Sequence, residues 1–165
     1  MRKRGERMDI KDFFEATWEA RGRLLDAAEK LSPEEWRQEF DFSWRSMQKL
    51  FAHVIEVERS WIAEDLLGRK YKWAGDSEIE QLYTSPAGAR ARGNEVADQT
   101  RAVLDEFVPA KMMENREGKD IDGKVVHFTV EQIPTHVFTH ELRHQGQLQA
   151  MLRLMGKKAP NADWI

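Results

Sequence analysis

The stretch PTHVFTHELRHQGQLQAMLRLMG, Pro134 to Gly156, holds three of the chain's five histidines, His136, His140 and His144. Each is four residues from the next. On a helix this spacing stacks them along one side, one turn above another. The stretch is helical in character: Leu, Met, Gln, Ala, Arg and Glu dominate after His140, and Gly156 supplies a stop. His140 and His144 therefore present two imidazoles to one space. One more nitrogen from elsewhere completes a three-point grip on a divalent metal, the open arrangement used by catalytic metal sites.

Upstream, Thr129 and Gln132 read as a capping box for this helix. Pro134 requires either a helix that begins near Ile133 or a bent first turn. Before it, Glu114 to Phe128 breaks the helical period. Asp122-Gly123, a favoured two-residue hairpin turn, lies between Ile121 and Val125-Val126, so a small hairpin or an extended loop is expected. Ser85-Pro86 opens a helix with Ala89, Gly93, Val96, Thr100, Val103, Leu104 and Phe107 on one face and Pro109 as its stop. Arg69 to Leu82 is polar and reads as a loop.

A second long helix runs from Ser46 to Gly68, with Met47, Leu50, Phe51, Val54, Val57, Trp61, Ile62 and Leu66 as its apolar face. His53 lies on that face, beside Leu50 and Val57. Phe40 to Arg45 is a connection. Ser32-Pro33-Glu34-Glu35 is a capping box for a short helix. From Asp9 to Lys30, Ile10, Phe13, Phe14, Thr17, Trp18, Leu24, Leu25 and Ala28 form a helical stripe. Asp9 is its cap and Asp12 occupies the third helical position. The pattern predicts an all-α four-helix bundle, with a short extra helix and a small hairpin before the last helix. Residues 1–8 read as a flexible basic tail and 9–165 as a single domain. The tail from Lys157 to Ile165 is expected to pack back on the body or into a partner subunit.

Composition narrows the function. The chain has 165 residues, enough for a core without staples, and no cysteine. Histidine and carboxylate are then its only strong metal ligands. A net charge of -3 argues against a general nucleic-acid binder, which needs a basic face. MRKRGER at the start is followed by Asp9 and Lys11 rather than an apolar run, so no secretory signal is expected. No stretch approaches a membrane span of about 18 apolar residues. The expected location is cytoplasmic.

Bundles build metal sites from facing helices, so His53, His140 and His144 converge if their two helices are neighbours. The plainer reading of each stays open: an inward histidine is often a hydrogen-bonded core residue, and paired histidines also occur on polar helix faces. His136, one turn earlier, drifts around the helix and is read as packing near the site mouth. His127 reads as a surface residue. Gln147, three after His144, and Glu56, three after His53, either orient ligands or are solvated. His140-Glu141-Leu142-Arg143-His144 also fits the H-E-x-x-H pattern of zinc proteases, with Glu141 as general base. Context disfavours that reading. Gly146 comes one residue too soon for a metzincin, and no glutamate follows Glu141. Glu141 is then a helix-surface residue.

Two runs carry a family resemblance: SMQKLFAHVIEVERSW, Ser46 to Trp61, and HVFTHELRHQGQL, His136 to Leu148. The chain resembles the DinB/YfiT-like superfamily of metal-binding four-helix bundles, from about Asp9 to Gly156. The resemblance implies metal ligands at His53, His140 and His144. It also implies nickel or zinc as the ion, a homodimer and a small-molecule substrate. Some relatives join low-molecular-weight thiols to electrophiles, and others hydrolyse or isomerise small molecules. The chain departs from the family pattern at Gln145, where arginine is common. The expected function is a metal-dependent transferase of the thiol kind. The alternatives are a hydrolase at the same site or a non-catalytic metal-binding module. No nucleic acid or membrane partner is expected.

Overall fold

The computed structural model describes residues 9–66, 75–106, 112–119 and 122–162. The basic segment 1–8, Gly68, positions 69–74 of the expected loop, Phe107, Pro109, Ile121 and positions 163–165 of the tail lie outside them. Helix α1 is Ile10–Ala28, α2 Pro33–Arg37, α3 Met47–Ser60, α4 Asp76–Leu82, α5 Pro86–Asp105 and α6 Gln132–Leu154. Strands β1 (Asn115–Lys119) and β2 (Val125–Thr129) form an antiparallel hairpin before α6.

Local chemistry sets most of the boundaries. Asp9 accepts from the N–H of Lys11 and Asp12, and the Asp12 carboxylate answers to the N–H of Asp9. Ser32 and Glu35 close the same reciprocal box over α2, with Pro33 at the first position. Ser46 and Ser85 cap α3 and α5 through the N–H of Lys49 and Gly88.

Two elements differ from the sequence reading, and two more, the expected hairpin and the last helix, form with a difference of detail. First, positions 76 to 82 are helix α4 rather than loop. Only Ile79 and Leu82 are apolar there, too few for a stripe, yet Ile79 packs on the core and its carbonyl accepts from the buried Tyr83 N–H. Second, the long helix that begins at Ser46 changes to π geometry over Trp61–Leu66. Val57, Trp61, Ile62 and Leu66 suit either winding, so apolar spacing does not reveal the wide turn. Third, the hairpin ladder ends at the pair Lys119↔Val125, so its connection spans positions 120 to 124. Asp122-Gly123 sits inside it, with Gly123 at φ +78°, where glycine carries no Cβ penalty. Fourth, α6 begins at Gln132 after Glu131, and only half of the expected box is seen: the Thr129 N–H donates to Gln132 Oε1 at 2.8 Å. This start puts Pro134 in the first turn, where its missing N–H has no helical partner to lose.

The long helices pack in the ring order α1–α5–α3–α6. Helices α3 and α6 are therefore neighbours, and α1 and α3 are diagonal. The main core gathers Leu24, Trp36, Leu50, Phe51, Ile55, Tyr83, Leu148 and Met151. The tail folds back through 162: Arg23 donates to the Asn161 carbonyl, Gln149 to that of Pro160, and Lys157 pairs with Glu35 at 2.7 Å. No helix of the described residues is long and apolar enough to cross a membrane.

Candidate metal centre

His53 stands mid-way along α3, and His140 and His144 stand one turn apart on α6. Because those helices are neighbours, the three rings meet. His140 Nε2 lies 2.9 Å from His53 Nε2 and 3.1 Å from His144 Nε2. The potential ligand atoms of all three lie within 4.8 Å of one another. An ion about 2.0–2.1 Å from each nitrogen in a tetrahedral shell needs nitrogens about 3.3 Å apart. The cluster is within small side-chain adjustments of that.

The donor chemistry fits as well. His144 Nδ1 contacts Gln147 Oε1 at 2.5 Å. A carbonyl oxygen only accepts, so Nδ1 carries the proton and Nε2 turns a lone pair to its neighbours. Gln147 Oε1 also accepts from the Ser43 hydroxyl at 2.7 Å, which steadies the amide. Three neutral imidazole nitrogens facing one point cannot all pair with one another, because each ring offers that point either one proton or one lone pair. A cation resolves the conflict.

Electrostatics keep the rings in the ligating form. Burial, then the nearby His144 and Arg143, push His53 down to about 3. Burial, followed by His144, His53, Arg143 and His136, pushes His140 down to about 2. Burial also lowers His144, against the opposing hydrogen bond to Gln147. All three are neutral at neutral pH.

Trp44 stacks on the His53 ring at 4.0 Å and 22°, and is itself 47% exposed, so it covers that ring on the solvent side. Its neighbours Ser43 and Arg45 both hold positive φ, 53° and 66°. Residues with a Cβ adopt this at some energetic cost, and such sites often serve function. Trp44 lies in the Phe40 to Arg45 connection, where no local pattern marks it.

Several other expectations resolve here. Gln147 does orient a ring of the cluster. Glu56 is neither solvated nor committed to His53: it is buried, and its Oε1 accepts from the Tyr83 hydroxyl at 2.7 Å and Arg92 Nε at 3.0 Å. Glu141 is not a surface residue either. It is 3% exposed, and Arg21 Nε and Nη2 donate to its two oxygens at 3.0 and 2.6 Å. Both oxygens are engaged, so the H-E-x-x-H match supplies no general base. His136 is exposed and packs against Trp61 at 4.6 Å with the rings tilted by 46°, and His140 lies 6.1 Å from it. His127 is exposed on β2, as read.

Arg21 itself escaped notice. Arg21 Nη2 also donates to Glu58 Oε2 at 2.5 Å, and Glu58 Oε1 accepts from the Thr100 hydroxyl at 2.7 Å and from Trp18 Nε1 at 3.2 Å. Gln145 joins by donating to Glu141 Oε1 and the Thr17 carbonyl. The network takes a residue from each of the four long helices. Its signal was present: Arg21 sits four after Thr17 and three before Leu24, a charge on the apolar stripe.

Fold and site together define a class, the four-helix bundles able to hold a divalent metal on histidines from two adjacent helices. The chain belongs to the DinB family, whose model matches residues 1–165. Solved structures share the fold. A DinB-like protein from Bacillus cereus is 16% identical, with 90% of this chain and 94% of that one covered at a TM-score of 0.62. YfiT from Bacillus subtilis, described as a probable metal-dependent hydrolase with an unusual four-helix bundle topology, is 16% identical over 96% and 95%, at 0.62. The DinB-like YjoA of Bacillus subtilis is 16% identical over 92% and 98%, at 0.61. No curated protein matches.

Proposed function

We propose that the chain is a metal-dependent enzyme in which His53, His140 and His144 hold zinc or nickel. The reaction we assign is transfer of a low-molecular-weight thiol to a small electrophile. The observation that carries the metal reading is the meeting of three Nε2 atoms from two helices, with the tautomer of His144 set by Gln147. A divalent ion on neutral imidazoles keeps its positive charge and lowers the pKa of a thiol or water at its open position. The protein's share is to keep the rings neutral through burial, to aim His144 through Gln147 and Ser43, and to cover His53 with Trp44.

The chain has no cysteine, so a thiol would come from a cosubstrate. A second reading, hydrolysis at the same centre, draws on the fold shared with YfiT and its description as a metal-dependent hydrolase. Zinc- and nickel-loaded protein should be assayed for conjugation of monobromobimane to a panel of small thiols, and for ester and amide hydrolysis. Metal-dependent conjugation supports the transferase, and hydrolysis alone supports the second reading. Tight metal binding with no exchangeable water and no turnover would leave a binding module. A homodimer in the cytoplasm completes the proposal, and sedimentation of the pure protein by ultracentrifugation tests its first half.

A further inference from the structure

A cavity of about 220 Å³ opens beside the histidine cluster. Trp61 of the π turn, Val126 and Phe128 of β2, and Ile133 of α6 form its apolar walls. His127, His136 and Gln132 provide polar groups, and His127 lies 4.0 Å from the Glu117 carboxylate. Three elements with unrelated local rules thus leave a shared hollow, and a π turn is a frequent mark of a functional site.

The walls suit one kind of guest. Trp61 and Phe128 stand with ring centroids 6.1 Å apart at 66°, and both are half-buried. They offer an edge and a face, the arrangement in which aromatic rings pack best. An apolar cavity of roughly 150 Å³ is enough for benzene, so this one admits a single ring with a short substituent. No lining residue carries a fixed charge, so a charged group would lose its hydration without a partner. Gln132 Oε1 is taken by the Thr129 N–H, so its amide NH₂ joins the His127 and His136 rings as polar handles for the substituent.

The position matters more than the size. The His136 ring lies between Trp61, at 4.6 Å, and His140, at 6.1 Å. The inner wall of the cavity is therefore one ring away from a proposed metal ligand. We infer that this cavity binds the neutral, single-ring aromatic part of a small-molecule substrate, beside the imidazole cluster. Its place in catalysis rests on the metal reading above, but the binding itself does not.

The test uses 4-fluorobenzyl alcohol as probe, followed by ¹⁹F NMR on the full chain in metal-free and zinc-loaded forms. A saturable shift is expected in both, together with movement of the Trp61 indole N–H resonance, assigned through Trp61→Phe. Cyclohexylmethanol should compete at least tenfold more weakly. Val126→Trp should fill the hollow and weaken the probe at least tenfold while zinc stoichiometry and circular dichroism stay unchanged. Phe128→Leu, a milder change, should weaken it several-fold. Equal affinity in Val126→Trp, equal competition by the saturated ring, or a Trp61 signal that never moves would overturn the assignment. Probe binding that survives while zinc binding fails would sink the metal reading alone. Zinc binding without probe binding would sink this one alone.

Discussion

Helix α6 carries two polar clusters side by side, built on opposite rules. His140 and His144 join His53 in a neutral group whose three Nε2 atoms face one another, with only protons or lone pairs to share among themselves. Glu141 and Gln145, each one residue further on, join Arg21 and Glu58 in a group that is charged, buried and nearly saturated. Burial alone would weaken the charge on Arg21, but Glu141 and Glu58 outweigh it and hold the guanidinium more firmly protonated than usual. A saturated network has nothing left to offer a ligand, so its effect is to lock the helices. An unsaturated cluster gains little for the fold by itself, and its stability appears only when something enters. Both kinds interrupt an apolar stripe, so polarity in the core does not by itself mark a functional site. Unmet valence does.

The sharpest way to break the contrast is Arg21→Leu. It leaves two carboxylates buried without their cation, and removal of one partner from such a group typically costs about 3–5 kcal/mol. Urea unfolding of metal-free protein should show the loss. A change under about 1 kcal/mol would mean that the charged network locks nothing. Zinc should have the next largest effect. At about 100 times the dissociation constant it should add about 2.7 kcal/mol to the wild type. It should add nothing to His53→Ala, whose metal-free stability should stay near that of the parent. An equal zinc effect in that variant would remove His53 from the site.

Acid should separate the clusters next. His53 and His140 are pushed down to about 3 and about 2 in the fold, against 6.5 when unfolded. Between those values the unfolded chain binds more protons. Their contribution is thus complete above about pH 6.5 and is lost as the pH falls toward 3. With both shifts discounted heavily for solvent screening and because the two rings share one cluster, metal-free wild type should lose about 2 kcal/mol more between pH 7 and pH 4 than the double variant His53→Ala/His140→Ala. Parallel urea midpoints for the two would remove the rings from the acid response. Gln147→Leu should do less. With the His144 tautomer released, zinc affinity should fall about tenfold, by competition with a chelating dye, and the fold should hold. An unchanged affinity would make Gln147 a bystander.

How far each cluster could be read in advance follows from the range of its contacts. The caps at Asp9, Ser32 and Ser85 depend on residues two or three apart and form as read, and Ser46, read as a helix start, caps its helix in the same way. Gln147 and His144 are also three apart, and they meet. Glu56 has the same spacing from His53, but its carboxylate meets Tyr83 and Arg92 on other elements. Spacing nominates a partner, and packing from elsewhere decides. The bond from Arg21 to Glu141 spans 120 positions, so no local pattern shows it. Helix α4 and the π turn escaped because their apolar residues are too few or fit two windings.

Gln145 is the smallest test, and it probes the one flaw in the saturated cluster. Its Nε2 donates to the Thr17 carbonyl at 2.9 Å and to Glu141 Oε1 at 3.0 Å. Its Oε1 is the one buried side-chain polar atom among the described residues with no hydrogen-bond partner. Gln145→Met keeps the length, removes both donations and removes the orphan acceptor. Each lost hydrogen bond weakens the fold by about 1 kcal/mol, and relief of the orphan returns about as much or more. Arg21 still engages Glu141 at both oxygens, so that carboxylate is not stranded. The net change should be under about 1 kcal/mol in urea, with zinc affinity unaltered. A loss above about 3 kcal/mol would show that the lock depends on Gln145 as well as on Arg21. A shift in zinc affinity at constant stability would show instead that the two clusters on α6 are coupled through the helix they share.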